Sequence, residues 1–403
     1  MTVAGVSSLD AIALNEDKSK TYSKMELLAE KVQAIWSKVY DVTIGNVVRV
    51  VYVIRNAIGA VVRDLFFFPL KCSLIANLQM VKKQLNIEET YCQDFWDPSK
   101  SLDPNLKNHQ DIRELFNPPK DVVIPIHLKE GSKVEITCRV IETKESGDHY
   151  YNFVSLPGIF ATVSNNIGAT HPYLSAYVDA KKGAATLSPA RFIIISENNL
   201  NIKPKTLEEA GFILLETLKS MRTMFGDIDQ LVAHSLGNIF LANALKQVED
   251  PQCLPKNLCM DRGPSGIWEA SKKYAYGLGS LLYVFAKLGG WSIDLAEEVA
   301  AFCKKWKERP SLLVCGMVQD HHFSESANLC LANSIQGIKD VEVLVFDPPR
   351  QVIHEHGHHN LRSDLINSCY LVKKSNYMNP LETLPEAVLR HSLPGFETCK
   401  QSA

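Results

Sequence analysis

The sequence predicts an α/β protein whose core is a largely parallel, doubly wound sheet. Three observations carry this. A chain of 403 residues, 46% hydrophobic and 22% charged, can bury a large core. From residue 121 onward, short apolar runs rich in Val and Ile alternate with helical patterns. That alternation opens on a hairpin, in which Val122–Leu128 and Lys133–Ile141 flank a turn at Lys129–Ser132 containing Gly131. A third strand is expected at Tyr151–Leu156, then a helix near Tyr173–Lys181 and a strand at Phe192–Ser196. Thr206-Leu-Glu-Glu209 is a capping box that opens a helix running to Phe225 and closed by Gly226. The series continues with a strand at Gln230–Ala233, a helix at Asn238–Val248, a strand at Leu258–Asp261 and a helical stretch from Trp268 to Lys307. A strand at Ser311–Gly316, a helix near Glu325–Gln336 and a strand at Val341–Phe346 complete it. This makes eight strands, the first two antiparallel, with helices on both faces.

Residues 1–120 read as a separate helical region. Ser23-Lys-Met-Glu26 is a capping box, followed by Leu28, Val32, Ile35, Trp36 and Val39 at helical spacing. Residues 47–80 are strongly apolar, but Arg49, Arg55, Arg63, Asp64 and Lys71 interrupt every window long enough to span a bilayer. Two readings remain for this segment: a helix packed on the following domain, or an amphipathic segment making peripheral contact with a membrane surface. A Pro-, Asp- and Asn-rich connector with one short helix then leads to residue 121.

The balance of 43 Lys and Arg against 45 Asp and Glu argues against nucleic acid as a partner. Ten cysteines with no Cys-x-x-Cys pair suit neither a disulfide scaffold nor a zinc ribbon, so a reducing, cytoplasmic compartment is expected. The N-terminus shows no cationic stretch followed by an apolar core of the secretory type.

The chemistry concentrates in Ala233-His234-Ser235-Leu236-Gly237, which joins an apolar strand directly to an apolar helix. So sharp a turn requires small residues two before and two after the serine, and Ala233 and Gly237 meet the need. It lifts the Ser235 hydroxyl above the C-terminal edge of the sheet, where ligand crevices form. The N–H of Leu236, at the helix N-terminus, then points where an oxyanion would develop.

With this motif on the fifth strand, residues 121–375 resemble the α/β-hydrolase superfamily in strand order as well as in motif. Ala233 stands where that family usually has glycine. The resemblance implies an eight-stranded α/β-hydrolase fold over residues 121–403, with a helical cap insertion at about 263–308. It also implies a second oxyanion donor after the third strand, where Leu156-Pro-Gly-Ile-Phe160 makes the N–H of Ile159 the candidate. A serine hydroxyl needs a histidine to take its proton and an acid to orient that histidine. The family order is Ser, acid, His. Asp320 is the first choice for the acid, Asp261 the alternative and Asp347 a third. The base falls in His354-Glu-His-Gly-His358-His359-Asn360: anchoring on Asn360 selects His359, anchoring on Gly357 selects His358, and His354 and His356 are neighbours.

The same histidines come close to a metallo-β-lactamase-type motif, to which His321 and His322 could add ligands. The motif's aspartate is missing, however, and only 44 residues follow His359. No metal and no cofactor are expected. The expected activity is a serine hydrolase acting on a carboxylic ester or thioester, with an acyl or lipid-like substrate; the aromatic and leucine-rich insertion would suit an acyl chain. The alternative is a non-catalytic binding or membrane-docking module on the same fold. The helical N-terminal region and Asp261-Arg-Gly-Pro-Ser-Gly-Ile-Trp-Glu-Ala-Ser271 resemble a family of hydrolase-like proteins from chlamydiae and Legionella, which implies export into a host cell.

Overall fold

The computed structural model describes residues 31, 47–61, 95–97, 99, 108–129, 131–156, 163–183, 187–195, 204, 206–235, 237–263, 284, 286–317, 331–346 and 384–396. The chain divides into two compact units, Met1–Ala57 and Ile58–Ala403. In the first, residue 31 and residues 47–57 are helical, and Val47, Val48, Val50, Val51, Tyr52, Val53 and Ile54 are exposed. The capping box at Ser23 lies outside the described residues.

The second unit contains the predicted sheet. Its strands are β1 (Lys120–His127), β2 (Lys133–Glu142), β3 (Tyr151–Leu156), β4 (Ala190–Ile195), β5 (Gln230–His234), β6 (Asn257–Asp261), β7 (Ser311–Met317) and β8 (Val341–Phe346). They lie in the order β1-β2-β4-β3-β5-β6-β7-β8. β2 runs antiparallel to both β1 and β4, and every other neighbouring pair is parallel. The β1–β2 hairpin closes through Gly131, whose φ of +83° suits a residue without a β-carbon.

The described helices are α1 (His109–Leu115), α2 (Val163–Gly183), α3 (Leu207–Phe225), α4 (Gly237–Gln247), α5 (Leu295–Lys305) and α6 (Leu384–Ser392). The sequence marks α3 best. The Thr206 hydroxyl accepts the Glu209 N–H at 3.2 Å, and Gly226 ends the helix at φ +86°. Two expectations need correction, and one helix is additional. α2 begins ten residues before Tyr173, because Pro172, a helix breaker by itself, is carried inside it. The helical stretch expected from Trp268 to Lys307 is broken by a turn at Gly289–Gly290, and α5 restarts on Asp294, whose carboxylate accepts the Glu297 N–H at 3.0 Å. α6 was not expected, although Pro385 in its first turn is a start signal.

Central strands of a parallel sheet are buried on both faces, and the alternation of their side chains divides the core. Val154, Ile193, Leu231, Leu258 and Leu312 join one apolar cluster, together with residues of α3, α4 and α5. Phe153, Phe192, Val232, Cys259 and Leu313 join the other, with residues of α1, α2 and α6. The C-terminal ends of β3, β5 and β6 are thereby held rigidly side by side, with Leu156 paired to Ala233 and His234 to Asp261.

At the opposite edge, His391 of α6 and the Ser311 hydroxyl are 2.8 Å apart at the start of β7. Burial, with Arg390 adding to it and Glu342 opposing it, pushes the His391 imidazole down to about 4 from its usual 6.5. The unfolded chain therefore takes up this proton first as pH falls. Stability from His391 is complete above about pH 6.5, is lost between there and about pH 4, and changes no further below. A shift of this size corresponds to about 3 kcal/mol. Urea midpoints between pH 7 and pH 4 should fall by less in His391→Gln than in the wild type.

Candidate active site

β5 runs through Ala233, which is fully buried, to His234, and the chain reverses at Ser235 into α4. Ser235 has φ +52°, a left-handed conformation that costs an L-residue roughly 1–2 kcal/mol. Its surroundings impose that strain. The Ser235 N–H donates to the Asp261 carbonyl at 3.0 Å, across the β5–β6 boundary. The Ser235 carbonyl accepts the Asn238 backbone N–H at 3.1 Å and the Asn238 side-chain amide at 3.0 Å. The same Asn238 amide donates to the Asp261 carbonyl at 2.9 Å, so one buried side chain ties the turn to the next strand. A strained serine between a central strand and a helix, on a sheet of this strand order, decides the architecture.

The fold is that of the α/β hydrolases.

No protein-family model matches the chain, and no curated protein matches it. Among solved structures, the chain is similar to an esterase of Pyrococcus furiosus, at 11% identity and a TM-score of 0.37, over 59% of this chain and 83% of that one. It is also similar to the acylaminoacyl peptidase of Pyrococcus horikoshii, at 14% identity and a TM-score of 0.42. That match covers 70% of this chain but only 46% of the peptidase. A third is brefeldin A esterase, a bacterial homologue of human hormone-sensitive lipase, at 15% identity and a TM-score of 0.37, over 69% of this chain and 79% of that one. The assignment of the hydrolase fold rests on strand order and on the geometry of the turn.

Beside the serine lies a charged cluster. Asp261, at the end of β6, is 1% exposed. His234 Nδ1 lies 2.7 Å from its Oδ2, and Arg262 donates Nε to Oδ1 at 2.7 Å and Nη2 to Oδ2 at 2.6 Å. Burial by itself would raise the Asp261 carboxyl, but the Arg262 and His234 charges and hydrogen bonds hold it well below the usual carboxylate range. Burial also pushes the Cys315 thiol and the Tyr173 hydroxyl well up, so neither adds a second anion beside Asp261.

Arg262 is itself left-handed, at φ +45°, and its N–H donates to the Cys315 carbonyl at 2.9 Å. Gly263 follows because nothing larger fits: a β-carbon there would stand 2.3 Å from the Asn238 side-chain nitrogen. The residue that steadies the serine turn thus also dictates a glycine two residues past the end of β6.

Of the residues singled out from the sequence, the structure brings Ser235 and the alternative acid Asp261 to neighbouring strand ends. Leu236, Ile159, Asp320, Asp347, His354, His356, His358 and His359 lie outside the described residues, as do residues 264–283 and 285 of the insertion. Among the described residues no three His, Cys, Asp or Glu side chains gather as a metal ion would require. Sequence reasoning missed Asn238, His234 and Arg262 as site residues. The signals were local ones: a histidine next to the nucleophile candidate, and an arginine directly after a strand-end aspartate.

Proposed function

We propose that this protein is a serine hydrolase that cleaves a carboxylic ester or thioester, with an acyl or lipid-like substrate, through a covalent acyl-enzyme. The observation that supports this most is the left-handed Ser235, held at the mouth of a hydrolase-type sheet by Asp261 and Asn238. In this reading the Ser235 oxygen attacks the acyl carbonyl while a histidine, His359 or His358, accepts the hydroxyl proton. Asp320 orients that histidine. The N–H groups of Leu236 and Ile159 stabilise the tetrahedral oxyanion. The leaving alcohol or thiol takes the proton from the histidine, and water then repeats the attack to release the acid and regenerate Ser235. The chemistry calls for no cofactor or metal. Fluorophosphonate labelling tests the reading: it should mark the wild-type protein and be lost in Ser235→Ala and in one of His359→Ala and His358→Ala. An unlabelled, well-folded wild type that also fails to turn over p-nitrophenyl esters would count against it.

A membrane-docking role has an observation of its own in the first unit. Seven apolar side chains between Val47 and Ile54 are exposed on a helix that carries Arg49 and no acidic residue. No helix among the described residues is long and apolar enough to cross a membrane. We infer surface contact with an anionic bilayer, the arginines adding attraction to apolar burial. The full chain should co-sediment with vesicles containing phosphatidylserine, and Val50→Asp/Ile54→Asp should release it. Equal binding by both proteins would end the idea.

A further inference from the structure

We propose that His234 is a positioning residue for Ser235, held by Asp261 and Arg262, and that Asp261 is thereby committed to the turn instead of serving as the acid of the catalytic triad. The proposal rests on the serine-hydrolase reading and assigns residues within it. Asp261 grips the turn in two places. Its carbonyl takes the Ser235 N–H at 3.0 Å, and its carboxylate lies 2.7 Å from the imidazole of the preceding residue, His234. An ionised carboxylate only accepts hydrogen bonds, so His234 donates its Nδ1–H to Asp261, and that bond fixes the ring plane. Arg262 donates to both carboxylate oxygens, at 2.7 and 2.6 Å, and so fixes the carboxylate. With both oxygens engaged this way, the carboxylate is held against His234.

The arrangement answers a mechanical need. Two adjacent strand ends each carry a left-handed residue that is not glycine, Ser235 at φ +52° and Arg262 at φ +45°. Such conformations persist where surrounding contacts over-determine them. Without the His234–Asp261 bond, the last residue of β5 could rotate and carry the serine oxygen with it. A displacement of about 1 Å at a reacting atom costs on the order of 100-fold in rate.

The test uses the full-length protein and p-nitrophenyl butyrate. His234 is partly exposed, so His234→Gln is expected to fold and keep its melting temperature. It should lower kcat roughly 10- to 100-fold with KM within about twofold. Asp261→Asn should lower kcat over the same range, and the double variant should be no worse than the poorer single one, because both changes act on the same His234–Asp261 bond. Independently of turnover, histidine-labelled protein should show a downfield imidazole N–H proton resonance that is lost in His234→Gln, displaced upfield in Asp261→Asn and retained in Ser235→Ala. Three results would overturn the proposal. One is an Asp261→Asn activity as low as that of Ser235→Ala with His234→Gln unaffected, which would make Asp261 the triad acid. Another is unchanged kcat in both variants, and the third is absence of the resonance. If the wild type neither labels with fluorophosphonate nor hydrolyses ester, the hydrolase reading itself has failed and the positioning role falls with it; an active wild type with any of those three results isolates the failure to the proposal.

Discussion

Ser235→Ala should reduce kcat on p-nitrophenyl esters by about 10,000-fold to a million-fold while leaving the fold intact. The loss is large because the hydroxyl supplies the atom that forms the acyl-enzyme in the proposed mechanism, and binding with oxyanion stabilisation alone leaves a small residue of catalysis over water. The fold should survive because the contacts that shape the turn are made by the Ser235 backbone: its N–H to Asp261 and its carbonyl to Asn238. Alanine keeps the β-carbon and with it the left-handed strain. Ser235→Gly should be equally inactive but more stable than Ser235→Ala, by up to about 1 kcal/mol, since glycine adopts φ +52° without steric cost and loses only part of that gain to chain entropy. Ester turnover and urea midpoints of the two variants check both halves. A Ser235→Ala protein with near-wild-type turnover would remove Ser235 from the chemistry.

The sheet and the serine turn were legible because both are written in short-range patterns. β5 through α4 needs small residues at Ala233 and Gly237, an apolar strand before and an apolar helix after, all within about twenty consecutive positions. The ends of α3 were equally readable, since Thr206 and Gly226 each act on a group within four residues. What escaped was decided across the sheet. Asn238 is an ordinary polar residue in a helix until β6 arrives beside it and offers the Asp261 carbonyl. His234 and Asp261 stand 27 positions apart and meet only because β5 and β6 pair in register. Pro172 shows the converse: its local meaning is to break a helix, yet α2 runs from Val163 through it. The candidate site divides along the same line. The place of Ser235 follows from pattern, and that of Asp261 beside it from strand pairing. The register of His354 to His359 has no local feature that separates one histidine from the next.

Arg262→Met should destabilise the protein by about 3–5 kcal/mol at neutral pH, because it strands a carboxylate in a site from which water is excluded. Arg262 and Asp261 have side-chain exposures of only 5% and 2%. With Arg262 present, Asp261 is held well below its usual range although burial pushes the other way. The folded state therefore prefers the ionised form more than the unfolded chain does. This contribution to stability is present above the unfolded value of about 3.9 and is lost as pH falls through it toward the depressed folded value. Removing the guanidinium leaves burial dominant and reverses the preference: the folded state then favours the protonated acid. The gap between wild type and Arg262→Met in urea should accordingly be widest near pH 7 and narrow toward pH 4, as the variant gains relative to the wild type on acidification. A gap that stayed constant across that range would mean that Arg262 contributes packing and no charge. Asp261→Leu added to Arg262→Met should recover much of the loss at pH 7, since replacing a buried ion pair by apolar side chains is often neutral or stabilising. It should not recover turnover, because His234 would then have no carboxylate to fix its ring. Stability regained without activity would separate the energetic cost of burying this pair from the geometric purpose it serves at Ser235.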